Sequence, residues 1–241
     1  MAIVYTDNIE PRKPTQDITL GTTGETITLP GNDLRVNTVK DKGGNTLWTS
    51  DGSGNLSSVN AALKGNEVLL TTNTFTDAAS SDFTTLIDST YDVYIFKFNA
   101  INPATDLASF QFQVNASGGS GFNETMTTTY FSAWHDEADT SAGVGYIANK
   151  DQAQGTAYQI ICYSIGNAAK ECAVGELYLF SPASTTYVKH FYSRAQNFHG
   201  ADYSQEVYVG GYVNTTAAID EISFKMDSGN MDGEIKMYGL L

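Results

Sequence analysis

The sequence predicts an all-β protein, an antiparallel β-sandwich of jelly-roll type that follows a thin, β-rich N-terminal stem. Three observations lead to this fold class. Apolar and polar residues alternate over short segments, turns rich in Gly, Asn, Asp and Ser separate these segments, and no segment of useful length has a helical period. Parallel βαβ folds are therefore disfavoured, and loops as long as 117–125 make a jelly roll the preferred architecture.

The stem, residues 1–64, consists of very short β-segments between glycine-rich turns. These segments bury little surface alone, since an isolated two-stranded hairpin is marginal in water. We therefore expect stem side chains to be buried against symmetry mates or a neighbouring protein. The residues expected in this role are Ile18, Leu20, Ile27, Leu29, Leu47 and Trp48. A short helical turn is predicted at 58–64, with Ser58 as its N-cap and Gly65 as its stop.

The head, residues 65–241, has longer and more aromatic strands. Phe110, Phe112 and Val114 alternate with polar residues, which is the pattern of a half-buried strand, and a turn at Asn102-Pro103 precedes it. About nine strands are predicted from Tyr91 onward. Besides this strand and two C-terminal ones, they span residues 91–98, 126–134, 157–165, 175–180, 187–192 and 205–212.

The last twenty residues predict a closing β-hairpin. Apolar side chains alternate on both sides of a Gly229-Asn230 turn, and a strand with this period places them on one face. They are Ile222, Phe224 and Met226 before the turn and Ile235 and Met237 after it.

The composition and net charge of the sequence argue against nucleic-acid and membrane partners. The formal net charge is −14, from 27 acidic and 13 basic residues. Binding to nucleic acid needs clustered Lys and Arg, so no nucleic-acid partner is expected. The sequence lacks a long apolar run and a signal peptide, so we expect synthesis in a cytoplasm, no export by that route and no membrane partner.

The two cysteines leave two alternatives open. Cys162 and Cys172 flank a predicted turn at Gly166-Asn167, so they are placed to form a disulfide across a hairpin. Two free, buried thiols fit the same spacing.

The sequence offers little catalytic chemistry. His135, His190 and His199 have no close ligand spacing, which argues against a zinc site. The carboxylate pairs Asp220-Glu221 and Asp232 with Glu234 lie at strand ends, where edge charges discourage sheet aggregation. Asp51–Asn55 begins like a calcium loop but lacks its later ligands, so it is interpreted as a turn. We predict no catalytic residue, no metal site and no cofactor.

Aromatic residues beside polar ones provide the candidate contacts with a surface glycan. Trp134 and His135 precede an acidic run that would suit Ca²⁺, a sugar ring or a solvated loop. Phe198 and His199 form a second aromatic pair, and the aromatic residues Tyr192 and Tyr203, with Asn197, are placed to line a sugar site with them. Rings in a tyrosine-rich chain usually pack in a core or an interface.

Four phrases of the sequence resemble virion structural proteins of tailed bacteriophages, particularly those of marine cyanobacteria and their neighbours. They are DITLGTTGETITLP (17–30), GNTLWTSDGSGNLSS (44–58), NPATDLASFQFQV (102–114) and SGNMDGEIKMYGL (228–240). The resemblance implies a non-enzymatic, usually homotrimeric β-protein on the particle surface, either a tail-fibre-like appendage or a capsid decoration. It implies virion localisation, and no functional residue is carried over.

The leading hypothesis is thus a virion assembly protein that contacts other virion proteins through its N-terminal segment. The second is a host-adhesion module whose head recognises a host-surface glycan near Trp134 and His135. The third is a polysaccharide depolymerase.

Overall fold

The computed structural model describes residues 36–53, 55–57, 59–60 and 65–240. The chain divides into two units, Met1–Leu63 and Lys64–Leu241. All regular elements of the described residues are β-strands, and these residues contain no helix long and apolar enough to cross a membrane. Most of the predicted helical turn at 58–64 and four predicted stem residues lie outside the described residues, namely Ile18, Leu20, Ile27 and Leu29.

The described part of the first unit is a three-stranded antiparallel sheet in the order β1-β2-β3. Its strands are β1 (Thr38–Lys40), β2 (Thr46–Ser50) and β3 (Leu56–Ser57). Leu47 and Trp48 lie in β2 and are half-buried.

Aspartate side chains close both turns of this small sheet. Asp41 accepts a hydrogen bond from the Asn45 side chain at 2.9 Å, and Asp51 accepts the equivalent bond from Asn55 at 2.8 Å. These bonds hold the pKa of both carboxyl groups below the usual range. The calcium-like segment at Asp51 is therefore a turn in which the carboxylate accepts hydrogen bonds from the Ser53 and Asn55 amides and from the Asn55 side chain.

Thirteen strands make up the second unit. They are β4 (Glu67–Ala78), β5 (Ser81–Phe83), β6 (Val93–Pro103), β7 (Ala108–Ala116), β8 (Met126–Asp136), β9 (Ala142–Tyr146), β10 (Ala153–Gly155), β11 (Gln159–Ile165), β12 (Ala173–Phe180), β13 (Lys189–His199), β14 (Tyr203–Val213), β15 (Ile219–Met226) and β16 (Met231–Leu240). Every pairing between them is antiparallel.

These strands form a nearly closed, barrel-like sandwich. One layer has the order β4-β16-β6-β12-β13-β14-β8, with β9 and β10 both paired to β8, and the other has the order β5-β15-β7-β11. The layers meet on one side where Ile165 of β11 pairs with His199 of β13. On the other side, the Asn73 side chain of β4 donates to the Ser81 hydroxyl of β5 at 3.2 Å.

The core between the layers is built around the ring of Phe224. Its centroid lies 5.3–6.3 Å from five other phenylalanine rings, which is the range of favourable aromatic pairs. These rings belong to Phe83, Phe96, Phe98, Phe110 and Phe112, and all are buried.

The closing hairpin predicted at the C-terminus is wrong, although its alternation is confirmed. The predicted apolar residues are buried, but β15 pairs with β5 and β7, whereas β16 pairs with β4 and β6. The Gly229-Asn230 turn therefore crosses from one layer to the other. This arrangement buries the apolar faces of both strands from opposite sides of one core, and Asn230 secures the crossing by donating to the Asp77 carbonyl at 2.9 Å.

The other strand predictions hold in place but differ in extent. All predicted strands from Tyr91 onward coincide with observed ones, yet eleven strands rather than nine run from β6 to β16. The additional strands are β9 and β10, which are five and three residues long. β6 also continues through the predicted Asn102-Pro103 turn, and the chain turns at 104–107 instead.

The two cysteines are free thiols, so the disulfide alternative is not realised. Cys162 is buried and Cys172 is half-buried, and burial raises the pKa of the Cys162 thiol. We expect a thiol reagent to modify Cys172 in the native protein and Cys162 only after unfolding, because the thiolate is the reactive form. Mass spectrometry of the labelled peptides, with Cys172→Ser as control, checks this result. Native labelling of Cys162 at the rate of Cys172 would contradict it.

Candidate functional site

The four candidate glycan contacts lie in β8 and β13 of the larger layer, the one that begins with β4. Because side chains alternate along a strand, two of them lie on its inner face, toward the core, and two on its outer face. Trp134 and His199 lie on the inner face and line one pocket. Their neighbours His135 and Phe198 lie on the outer face, because successive side chains of a strand point to opposite sides. His135 is exposed and its Nε2 lies 3.2 Å from an Asp139 carboxylate oxygen. The structure therefore brings together one residue of each predicted pair.

The inner pocket has a volume of about 420 Å³, within the roughly 300–1,000 Å³ range of small-molecule sites. It lies where the ends of β8, β11, β13 and β14 meet. Its lining consists of Trp134, Ile147, Tyr163, His199, Ala201, Tyr203 and Gln205. Tyr203 was predicted as an aromatic that could line a sugar site, whereas Tyr163 and Gln205 were not among the predicted contacts.

The Trp134 ring packs against two glycines of β9, Gly143 and Gly145. Gly143 lies directly opposite Trp134 in the strand pairing. A Cβ atom on Gly143 would lie 2.7–3.1 Å from three carbons of the indole, and one on Gly145 would lie 3.7 Å from two. The ring therefore lies against both glycines, and Trp134 also lines the pocket. A larger residue at Gly143 would displace the ring.

Gln205 lines the pocket and carries an unpaired hydrogen-bond acceptor. Its side chain is 2% exposed, and its Oε1 atom accepts no hydrogen bond from the described residues. It lies between Trp134 and Asn197 in the strand register. Leaving a buried acceptor unpaired costs about 1–3 kcal/mol, and such groups in native proteins call for an explanation.

His199 contributes a fixed ring orientation. Its Nδ1 atom accepts a hydrogen bond from the Ala201 amide at 3.1 Å, which places the proton of the neutral ring on Nε2. Removal from solvent lowers the pKa of the imidazole, so the ring is neutral at pH 7. The Tyr203 ring meets it edge-on at 5.5 Å and the Tyr163 ring at 6.1 Å. The arrangement offers one hydrogen-bond donor among aromatic rings.

The acidic run after Trp134 is part of a turn. Asp136 is buried on the inner face and accepts hydrogen bonds from the Thr140 and Ser141 amides at 2.8 and 2.9 Å. Glu137 and Asp139 are exposed. Among the described residues, no group of three or more His, Cys, Asp or Glu side chains is arranged to hold a metal ion.

Protonation of Asp136 at low pH is expected to weaken the hydrogen bonds of this turn, which joins β8 to β9. The hydrogen bonds from Thr140 and Ser141 lower the pKa of Asp136 below its ordinary value of 3.8. A depressed pKa in the folded state contributes stability above the unfolded value and loses it as pH falls through the folded value. We therefore expect the Thr140 and Ser141 amides to exchange severalfold faster below about pH 4.

Hydrogen exchange followed by NMR measures this effect. Asp136→Asn should make the exchange of these amides nearly independent of pH after correction for the intrinsic rate. The exposed Asp139→Asn serves as control and should retain the acid response. An unchanged response in Asp136→Asn would assign it to another group.

Three of the four carboxylates in the predicted pairs have structural partners. Glu221 accepts a hydrogen bond from the Asn115 side chain at 2.8 Å, and Asp232 accepts one from the Asp77 amide at 2.7 Å. Glu234 forms an ion pair with Lys236 at 3.0 Å. These carboxylates stabilise strand ends and crossings.

A second feature, the aromatic outer face of the larger layer, was not predicted. The Tyr178 and Tyr192 rings stack at 4.7 Å between centroids, and the Phe131 and Tyr208 rings stack at 5.0 Å. A shallow groove of about 340 Å³ runs between these stacks over Gly210. Phe131, Tyr146 and Tyr192 are 42–56% exposed, and Glu176 and Arg194 also line the groove, so this face presents exposed aromatic rings beside charged side chains.

The chain matches no family model, no curated protein and no solved structure.

Proposed function

We propose that this protein is a non-enzymatic structural component of a tailed-bacteriophage virion. It is displayed on the particle surface as a tail-fibre-like appendage or a capsid decoration, and it assembles through its N-terminal segment. The resemblance of four sequence phrases supports this proposal. The single structural observation that carries it is the pairing scheme of the sandwich, because jelly rolls recur in viral capsid proteins.

The pairing scheme favours a jelly roll in the second unit. Eight strands, β4, β5, β6, β7, β11, β12, β15 and β16, pair first with last, second with seventh, third with sixth and fourth with fifth. A long hairpin wrapped around a barrel gives this order, with its two Greek keys. The remaining strands are insertions, β8–β10 after the fourth strand and β13–β14 after the sixth, and they extend one layer.

Self-association into a homotrimer is part of the proposal. The small N-terminal sheet leaves Leu47 and Trp48 only half-buried, and the head carries the exposed aromatic face. An obligate interface buries roughly 2,000 Å² or more, and apolar surface contributes about 25 cal/mol per Å². Burial on this scale offsets the repulsion between copies that each carry a net charge of −14.

Location on the particle tests the proposal. Antibodies against the purified protein should decorate intact virions at regular positions, and the protein in solution should have three times the mass of one chain. Absence of the protein from purified particles would overturn the virion role. A monomer that decorates particles would overturn only the trimer.

The inner pocket favours a second candidate function, recognition of a host-surface carbohydrate by the head. The observation that supports this function is that one pocket is lined both by the aromatic ring of Trp134 and by Gln205, whose acceptor is unpaired. Selective glycan binding by the full chain, lost in Trp134→Ala, would support this function.

A further inference from the structure

We propose that the inner pocket binds a neutral pyranose sugar, which stacks on Trp134 and forms hydrogen bonds with Gln205 and His199. This inference rests on the second candidate function and specifies its ligand class. It involves no bond-breaking step.

The shape of the pocket suits a sugar ring. A pyranose has an apolar C–H face and a rim of hydroxyl groups that both donate and accept. The indole supplies a flat surface for the apolar face, and its position is fixed because it lies against Gly143 and Gly145. Tyr163 and Tyr203 add aromatic walls that combine an apolar body with a polar end.

The polar groups of the pocket complement hydroxyl groups. Gln205 lines the pocket, and its Oε1 atom is buried and without a donor among the described residues, so a turn of the side chain that brings Oε1 to a ligand hydroxyl removes its desolvation penalty. The Nε2–H of His199 supplies a donor, because Nδ1 is already bound to the Ala201 amide. A site with both a donor and an acceptor binds a hydroxyl rim better than it binds an apolar ligand.

The charge of the site selects against acidic sugars. Among the residues that the structure describes, none that lines the pocket carries a formal charge while His199 is neutral. The chain itself carries −14, which disfavours the approach of an anion. Lys150 is a cation beside the pocket, and it lies over the Tyr163 ring at 5.4 Å from the centroid. An acidic sugar would have to draw this lysine away from the ring.

Saturation-transfer NMR on the full chain tests the ligand class. The probes are the methyl glycosides of glucose, galactose, mannose and N-acetylglucosamine, with glucuronate and N-acetylneuraminate as the acidic arm. We expect at least one neutral glycoside to bind and neither acidic sugar to bind more tightly. Binding of only the acidic sugars, or of no probe, overturns the inference. Either result leaves the location of the protein on the particle to be decided separately.

Variants at matched positions test the site. Trp134→Ala should weaken binding of the neutral sugar at least about tenfold, since it removes the stacking surface. Gln205→Leu should weaken it severalfold while the protein stays folded, because leucine introduces no unpaired group. The controls His135→Ala and Phe198→Ala alter the adjacent residue on the opposite face and should leave affinity unchanged. Equal losses in the controls, or undiminished binding in both pocket variants, overturns the assignment.

Discussion

Replacing Phe224 with alanine is expected to lower the free energy of unfolding by about 3–5 kcal/mol. The ring is completely buried and forms aromatic pairs with five neighbours from three strands, at centroid distances of 5.3–6.3 Å. Truncation removes these contacts and leaves a cavity that neighbours from both layers would have to fill. Such a cavity relaxes only in part, because each neighbouring ring is held by its own strand.

Urea denaturation followed by circular dichroism measures the loss. Lys225→Ala is the matched control, because this residue is the next one along β15 and is half-buried. Its ammonium lies 4.2 Å from the Tyr158 ring centroid, a contact worth no more than about 1 kcal/mol at such a site. If both variants lost the same free energy, Phe224 would not be the centre of the core.

The residues of this core could be identified from the sequence because alternation determines which side of a strand is buried. Ile222, Phe224 and Met226 are buried as predicted, and so are Ile235 and Met237. Alternation does not determine which strand lies alongside. The two C-terminal strands were therefore assigned to each other, although they belong to opposite layers of the sandwich.

The candidate site was predicted in part for the same reason. Trp134 and His199 were identified by their type, and the alternation rule itself separates each from its neighbour, His135 or Phe198. Gln205 has a signal that was not used: it precedes Val207 and Val209 at the inner positions of β14, where a polar residue must be buried. A polar residue in phase with a buried apolar series is a candidate ligand contact.

The two glycines of β9 that lie against Trp134 could not be predicted from hydrophobic periodicity. β9 has the sequence Ala-Gly-Val-Gly-Tyr, so its inner positions carry no side chain and its apolar alternation points outward. The strand fills its inner face with the Trp134 ring of the neighbouring strand, the arrangement by which an aromatic residue compensates for strand glycines. Recognising β9 required knowing which strand would lie beside it.

Two adjacent glycines of β14, Gly210 and Gly211, should respond very differently to substitution by alanine, so that one serves as the control for the other. Gly211→Ala is expected to lower the free energy of unfolding by about 1–3 kcal/mol, whereas Gly210→Ala should change it by less than about 1 kcal/mol. A Cβ atom on Gly211 would lie 2.5 Å from the Thr127 carbonyl oxygen and 2.7 Å from Thr128 Cγ2. A Cβ atom on Gly210 would meet only Thr129 Oγ1, at 3.9 Å.

Comparing the two variants distinguishes two causes of the lost stability, a steric clash with β8 and an altered backbone conformation. Both substitutions reduce the freedom of the unfolded chain equally, which by itself stabilises the folded state by about 0.4–1 kcal/mol. Only Gly211 faces a backbone atom of β8 that cannot move without breaking the pairing on which the pocket is built. Thermal and urea unfolding of both variants should therefore differ in sign or by more than about 1 kcal/mol. Equal losses would instead attribute the cost to backbone conformation, and the close approach of β8 to β14 would then not limit the size of residue 211.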